Sequence, residues 1–196
     1  MSEEIEQLES YRARVVAILQ SLDLEAVSET VDHLYGAWRR DALIVVAGNG
    51  GSASTASHMA TDLVKATRVD GQRAVRALSL ADNVSLLTAF ANDEGYEVGF
   101  ERQLEAIFRP GDVLVLISAS GNSSNAIAAA EKASDLGGTS IALVGFDGGV
   151  LLRTCDLVVH AHSRPGEYGP VEDVHLVLNH MISGRLLDRI RGENDS

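Results

Sequence analysis

Residues 118–123 read Ser-Ala-Ser-Gly-Asn-Ser and follow the apolar run Val113-Leu114-Val115-Leu116-Ile117. The run has the composition of a strand buried on both faces, as in a parallel sheet. The stretch from Ser123, SSNAIAAAEKASDLGG, has the small residues of a helix that stops at glycine. Hydroxyls of Ser118, Ser120 and Ser123 therefore collect where a strand hands over to a helix N-terminus. Such a place attracts an anion, because the helix dipole and the unpaired backbone N–H groups favour negative charge without a lysine. Taken alone, the stretch reads equally as a polar turn with Ser123 as the helix N-cap.

Working outward, a second turn has the same build. Ala42-Leu43-Ile44-Val45-Val46-Ala47 is another buried strand, followed by Gly48-Asn49-Gly50-Gly51-Ser52-Ala53-Ser54 and a helix of small residues. No Gly-Lys-Ser/Thr closes this loop, and its spacing is not Gly-x-Gly-x-x-Gly, so no nucleotide cofactor is expected. The glycines permit tight turning and close backbone approach to a ligand. Two polar turns at the carboxyl ends of parallel strands mark the crevice where an open α/β sheet binds small molecules.

Around these turns, strands and helices alternate. Helices are expected over 3–21 and 24–39, the second capped by Asp23. Then come strand 42–47, helix 53–66, strand 74–79, helices 82–91 and 96–108, strand 112–118 and helix 123–136. Strand 139–145, a short helix at 148–153, strand 156–160 and helix 170–191 complete the chain. This is an α/β fold, a three-layer α/β/α sandwich with a mostly parallel, flavodoxin-like sheet and two extra N-terminal helices. One domain is expected over 1–196, with 1–40 as a helical pair for oligomerisation and 41–191 as the α/β core. The pair carries Val16, Ile18, Leu22, Leu34 and Trp38 on more than one face. It either packs against another subunit or covers the sheet. The polar tail 191–196 is expected to fray.

Composition bounds the function. The 196 residues are 45% hydrophobic, enough for a real core. A net charge of −12 argues against nucleic acid as a partner, since a phosphate backbone needs a basic surface. A small phosphorylated ligand, held locally, is still compatible. The lone Cys155 excludes an intramolecular disulfide and suits a reducing cytoplasm. The acidic start MSEEIEQLES reads as no signal peptide, and no apolar run has membrane-spanning length.

Few side chains offer chemistry. His58 and Asp62 stand four apart and share a helix face. The stretch 170–180 offers Glu172, Asp173, His175 and His180. A histidine and a carboxylate one turn apart bind a divalent metal or work as acid and base, and also occur as plain surface pairs or polar packing. Glu172 and His180 are about 12 Å apart along a continuous helix. They reach one metal only from a frayed first turn or from different copies of an oligomer. Asn92-Asp93 reads as a turn or as a pair for sugar hydroxyls.

At this point the residues match a family. The chain resembles sugar isomerase (SIS) domains, and within them the phosphoheptose isomerases, over nearly its whole length. The matching segments are Gly48–Ser52, His58 with an acid four residues on, Asn92-Asp93, Gly111-Asp112-Val113 with 117–123, Gly145–Gly149, and Glu172-Asp173-Val174-His175 with His180. The resemblance implies a homotetramer with active sites between subunits. It also implies aldose–ketose isomerisation of sedoheptulose 7-phosphate to D-glycero-D-manno-heptose 7-phosphate. By position, Ser118, Ser120 and Ser123 hold the phosphate. Asn49, Gly50, Gly51, Ser52, Asn92, Asp93, Ala119 and Glu172 complete the substrate-binding positions. Asp62 and His180 fall on the catalytic acid and histidine. Some members bind zinc at the positions of His58, Asp62, Glu172 and His180, which implies one Zn²⁺ per subunit.

This sequence departs from the usual pattern at several of these positions. Asp62 replaces a glutamate and Glu172 a glutamine, and Ala119 stands where threonine is common. A usual arginine falls near Ala66, with Lys65 and Arg68 as neighbours, and the loop Ser163–Pro170 lacks the usual acidic character. Two imidazoles and two carboxylates read as a more metal-dependent site. The alternatives are an isomerase or epimerase on another phosphosugar, or a non-catalytic SIS adaptor or sensor with a protein partner.

Overall fold

The computed structural model describes residues 2–193, and the last three residues of the tail expected to fray lie outside them. Strands β1 (Leu43–Gly48), β2 (Arg76–Ser79), β3 (Val113–Ser118), β4 (Thr139–Val144) and β5 (Leu157–His160) form one sheet. Their order is β2-β1-β3-β4-β5 and every pairing is parallel, so the expected mostly parallel sheet is wholly so among the described residues. In chain order the α-helices are α1 (Glu3–Gln20), α2 (Leu24–Arg39), α3 (Gly51–Thr61), α4 (Val84–Asp93), α5 (Gly99–Ile107), α6 (Ser124–Asp135), α7 (Leu151–Thr154) and α8 (Tyr168–Gly192).

Side chains alternate across the strands, and each face has its own core. Ile44, Val46, Val113, Val115, Ile117, Ile141 and Leu143 pack under α2, α3 and α8. Val45, Ala47, Leu114, Leu116, Ala142 and Val144 pack under α5, α6 and α7. The three layers read from the sequence are therefore present.

The N-terminal pair divides its work. α2 is capped by Asp23, whose carboxylate accepts from the backbone N–H of Glu25 and Ala26. It lies directly on the sheet, burying Val27, Val31, Leu34 and Trp38. α1 rests on α8 and buries only Ile18. Its Ile5, Leu8, Tyr11 and Val16 stay exposed. α2 thus covers the sheet, and α1 keeps an open apolar face.

Three helices differ from expectation in detail, and the short one expected at 148–153 runs Leu151–Thr154. The helix expected over 53–66 starts at Gly51 and passes at Asp62 into a π-helical turn, Asp62–Ala66. The helix expected over 96–108 is a 3₁₀ turn, Tyr96–Val98, followed by α5, set off from α4 by Gly95 at φ 112°.

Topology places the site. From β1 the chain crosses to β2 on one side, and from β3 it crosses to β4 on the other. The two connections diverge above neighbouring strands and leave a crevice between them. Asp112 fixes the base of this region. Its buried carboxylate accepts from the Leu43 N–H at 2.8 Å and the Arg109 N–H at 2.7 Å. Substituting Asp112→Ala strands both donors and is expected to cost about 2–4 kcal/mol, read as a lower urea midpoint at unchanged slope.

Candidate active site

The crevice between the β1 and β3 turns holds a cavity of about 170 Å³, lined by Asn49, Ser52, Ser118, Ala119, Ser120, Ser123, Tyr168 and Glu172. Ser118 Oγ accepts from the Gly121 N–H at 3.1 Å, and Ser120 Oγ accepts from the Asn122 N–H at 3.2 Å. Ser123 is the N-cap residue of α6, but its side chain makes no capping hydrogen bond. Its hydroxyl is thus left for a ligand at the helix N-terminus, as anion binding requires. Ala119 contributes backbone rather than chemistry: its carbonyl accepts from the Gly145 N–H.

Gly121 lets the turn close. It sits at φ 63°, and a Cβ there would lie 2.0 Å from the Gly148 carbonyl oxygen. On the other side, Gly50 is the N-cap residue of α3 and Gly51 its first residue. A Cβ on Gly51 would lie 2.4 Å from Glu172 Oε2, so the Glu172 carboxylate rests against the start of α3, where the dipole favours it.

A reciprocal amide pair joins the two turns. Asn49 Nδ2 donates to Asn125 Oδ1 at 2.8 Å, and Asn125 Nδ2 donates to Asn49 Oδ1 at 2.9 Å. Tyr96 Oη also donates to Asn49 Oδ1 at 2.7 Å. Asn125, Tyr96 and Tyr168 were not legible as site residues. Asn125 offered a faint signal, a buried polar residue in the first turn of an otherwise apolar helix face.

The second centre lies further along α3 and α8. His58 Nε2 is 3.4 Å from Asp62 Oδ2, His180 Nε2 is 3.7 Å from the same oxygen, and the two Nε2 atoms are 3.3 Å apart. Ligand atoms on a tetrahedral divalent ion with bonds of 2.0–2.1 Å stand about 3.3 Å apart. Two imidazoles and a carboxylate at these spacings fit such an ion, and equally suit shared protons. Both histidines are exposed, whereas Asp62 is mostly covered.

Glu172 does not join this group within the chain. α8 is continuous from Tyr168, so Glu172 is not in a frayed turn, and it lies about 12 Å along the axis from His180. Glu172 is beside Gly51 and His180 beside His58, so α3 and α8 run in the same direction with the two centres stacked along them. Asn92 and Asp93 also stand apart from the cavity. They are exposed at the end of α4, where Asn92 Nδ2 donates to Asp93 Oδ1. His175 is fully buried, and burial pushes its imidazole down to about 4 against the opposing pull of the Val144 carbonyl. It is neutral packing in the core.

Residues 10–145 match the SIS domain family. The phosphoheptose isomerase of Geotalea daltonii is 36% identical over 195 residues, spanning 98% of this chain and 99% of that protein. That of Clostridium acetobutylicum is 36% identical over 172 residues, 87% of this chain and 85% of that protein. Among solved structures, phosphoheptose isomerase GmhA from Neisseria gonorrhoeae superposes with a TM-score of 0.83 at 29% identity, covering 92% of this chain and 97% of that one. The phosphoheptose isomerase from Francisella tularensis gives 0.84 at 24% identity, over 96% and 100%, a likeness of fold. The chain therefore belongs to the SIS-domain proteins and, among them, to the phosphoheptose isomerase family.

Two consequences can be measured. Gly121→Ala forces a Cβ into the Gly148 carbonyl and strains the turn, so inorganic phosphate should bind at least about tenfold more weakly by calorimetry. His175 is depressed on folding, so between about pH 6.5 and 4 the unfolded state binds more protons and stability falls as pH drops. His175→Leu should remove on the order of 1–3 kcal/mol of that fall, seen in urea titrations at pH 7 and pH 4.5.

Proposed function

We propose that this chain interconverts sedoheptulose 7-phosphate and D-glycero-D-manno-heptose 7-phosphate through an enediol. The observation that carries the reading is the pairing of a hydroxyl-lined anion cradle, at the β3–α6 turn and the starts of α3 and α8, with a carboxylate–imidazole centre further along α3 and α8. The membership of the family agrees with it. Phosphate held by Ser118, Ser120 and Ser123 anchors one end of the sugar, and that binding energy orients the other. Moving a carbonyl between C1 and C2 takes a proton from one carbon and returns one to its neighbour. Asp62 and His180 divide these transfers, a carboxylate and an imidazole being suited to both directions.

His58, Asp62 and His180 would hold Zn²⁺, which when bound stabilises negative charge on the enediolate oxygens. Glu172 reaches this centre from a neighbouring subunit, since within one chain the helix separates them. The working form is thus a homotetramer with active sites between subunits, supported by the exposed apolar face of α1 and by the exposed His58 and His180. No helix among the described residues is long and apolar enough to cross a membrane. The lone cysteine agrees with work in the cytoplasm.

Proton NMR of sedoheptulose 7-phosphate in D₂O should show aldose signals and deuterium at C2. Absence of both product and exchange refutes this substrate. Asp62→Ala and His180→Ala should each lower kcat by at least about 100-fold with the fold retained. Purified protein should carry near-stoichiometric zinc that His58→Ala loses; full activity without metal removes the metal's role and leaves the acid–base pair.

A further inference from the structure

Three polar side chains are buried along α8, His175, Asn179 and Ser183, and of these Asn179 is the one that hydrogen-bonds Asp62. Val174, Leu178, Ile182 and Leu186 bury the apolar stripe of the helix against α3 and the sheet. Asn179 is as fully buried as they are. Its Nδ2 donates to Asp62 Oδ2 at 2.8 Å, and its Oδ1 has no hydrogen-bond partner. A buried amide with an unpaired oxygen is a net cost to folding, which an apolar residue of similar shape would avoid. Folding stability alone therefore gives no reason for asparagine here.

The reason lies at its other end. Asp62 sits where α3 gives way to the π-turn Asp62–Ala66, a local change of helical phase of the kind that recurs at functional sites. An aspartate carboxylate turns broadly about χ2. A single amide donor placed on Oδ2 from a buried, packed helix fixes the plane of that carboxylate. The amide must present nitrogen, because the reverse orientation would set its oxygen against a carboxylate oxygen. The rotation of Asp62 relative to His58 and His180 is thereby held from below, on the side away from solvent.

We propose that Asn179 is a positioning residue that acts through Asp62, orienting its carboxylate for the reaction without touching the substrate. This rests on the assignment of Asp62 as an acid–base group. Substituting Asn179→Leu keeps the volume and removes the donor. It should lower kcat by about 10- to 100-fold, the scale of a misplaced reacting group, with KM within about twofold and the thermal midpoint unchanged or raised. In the Asp62→Ala background, the same substitution should change the residual rate, followed by deuterium exchange at C2, by less than about twofold, because no carboxylate remains to be oriented.

An unchanged kcat in Asn179→Leu, or an equal loss with and without Asp62, overturns the proposal. If Asn179→Leu does not fold, Asn179→Ser serves, since its hydroxyl is too short to reach Asp62 and the same pair of comparisons applies. Should Asp62→Ala itself retain full turnover, the acid–base assignment has failed, and that is evident before Asn179 is altered.

Discussion

β1 lies beside β3, and the chain leaves these two strands in opposite directions. Every polar feature of the crevice follows from that divergence. The gap lies open between the two turns, with the start of α8 along one side, and the polar groups of the turns line it. Among them are short hydroxyl side chains that bond back to the turn, and the Asn49–Asn125 amide pair spans the gap. A cavity built in this way is already polarised toward an anion before any ligand arrives. The turns are also braced from outside the pair, the β3 turn by the segment 145–151 and the β1 turn by Tyr96.

The helices on one face extend the site in a single direction. α3 and α8 start at the cradle and run together, so positions seven or eight residues further on reach a second centre about 10–12 Å away. One end binds charge and the other end handles protons. The π-turn at Asp62 and the buried amide of Asn179 then adjust the far end locally, without disturbing the packing that sets the spacing.

What the sequence disclosed follows from range. The strands at 42–47 and 112–118, the serine and glycine turns and the Asp23 cap are decided by neighbours within a few residues, and they stand where the pattern puts them. The separation of Glu172 from His180 was also legible, because helical rise is a local quantity. Asn125 and Asn179 were hidden, since their partners lie 76 and 117 residues away. The apolar face of α2 is the stronger of the two and lies on the sheet, whereas Ile5, Leu8 and Val16 of α1 follow helical spacing and still remain exposed. The π-turn leaves no mark in composition, because it alters hydrogen-bond spacing and not residue type.

The cradle is lined by hydroxyls, amides and one carboxylate, with no lysine or arginine among its lining residues. This has a kinetic consequence. A phosphorylated sugar approaches a chain of net charge −12, so the long-range field repels it, and attraction begins only within the reach of the helix termini. Ionic strength then acts in the unusual sense. Salt screens the repulsion over distances beyond about 10 Å at 0.1 M and leaves the short-range hydrogen bonds largely intact, so encounter quickens as salt is added. The anion is captured by contact rather than by steering, and discrimination rests on the fit of the turn rather than on the charge of the surface.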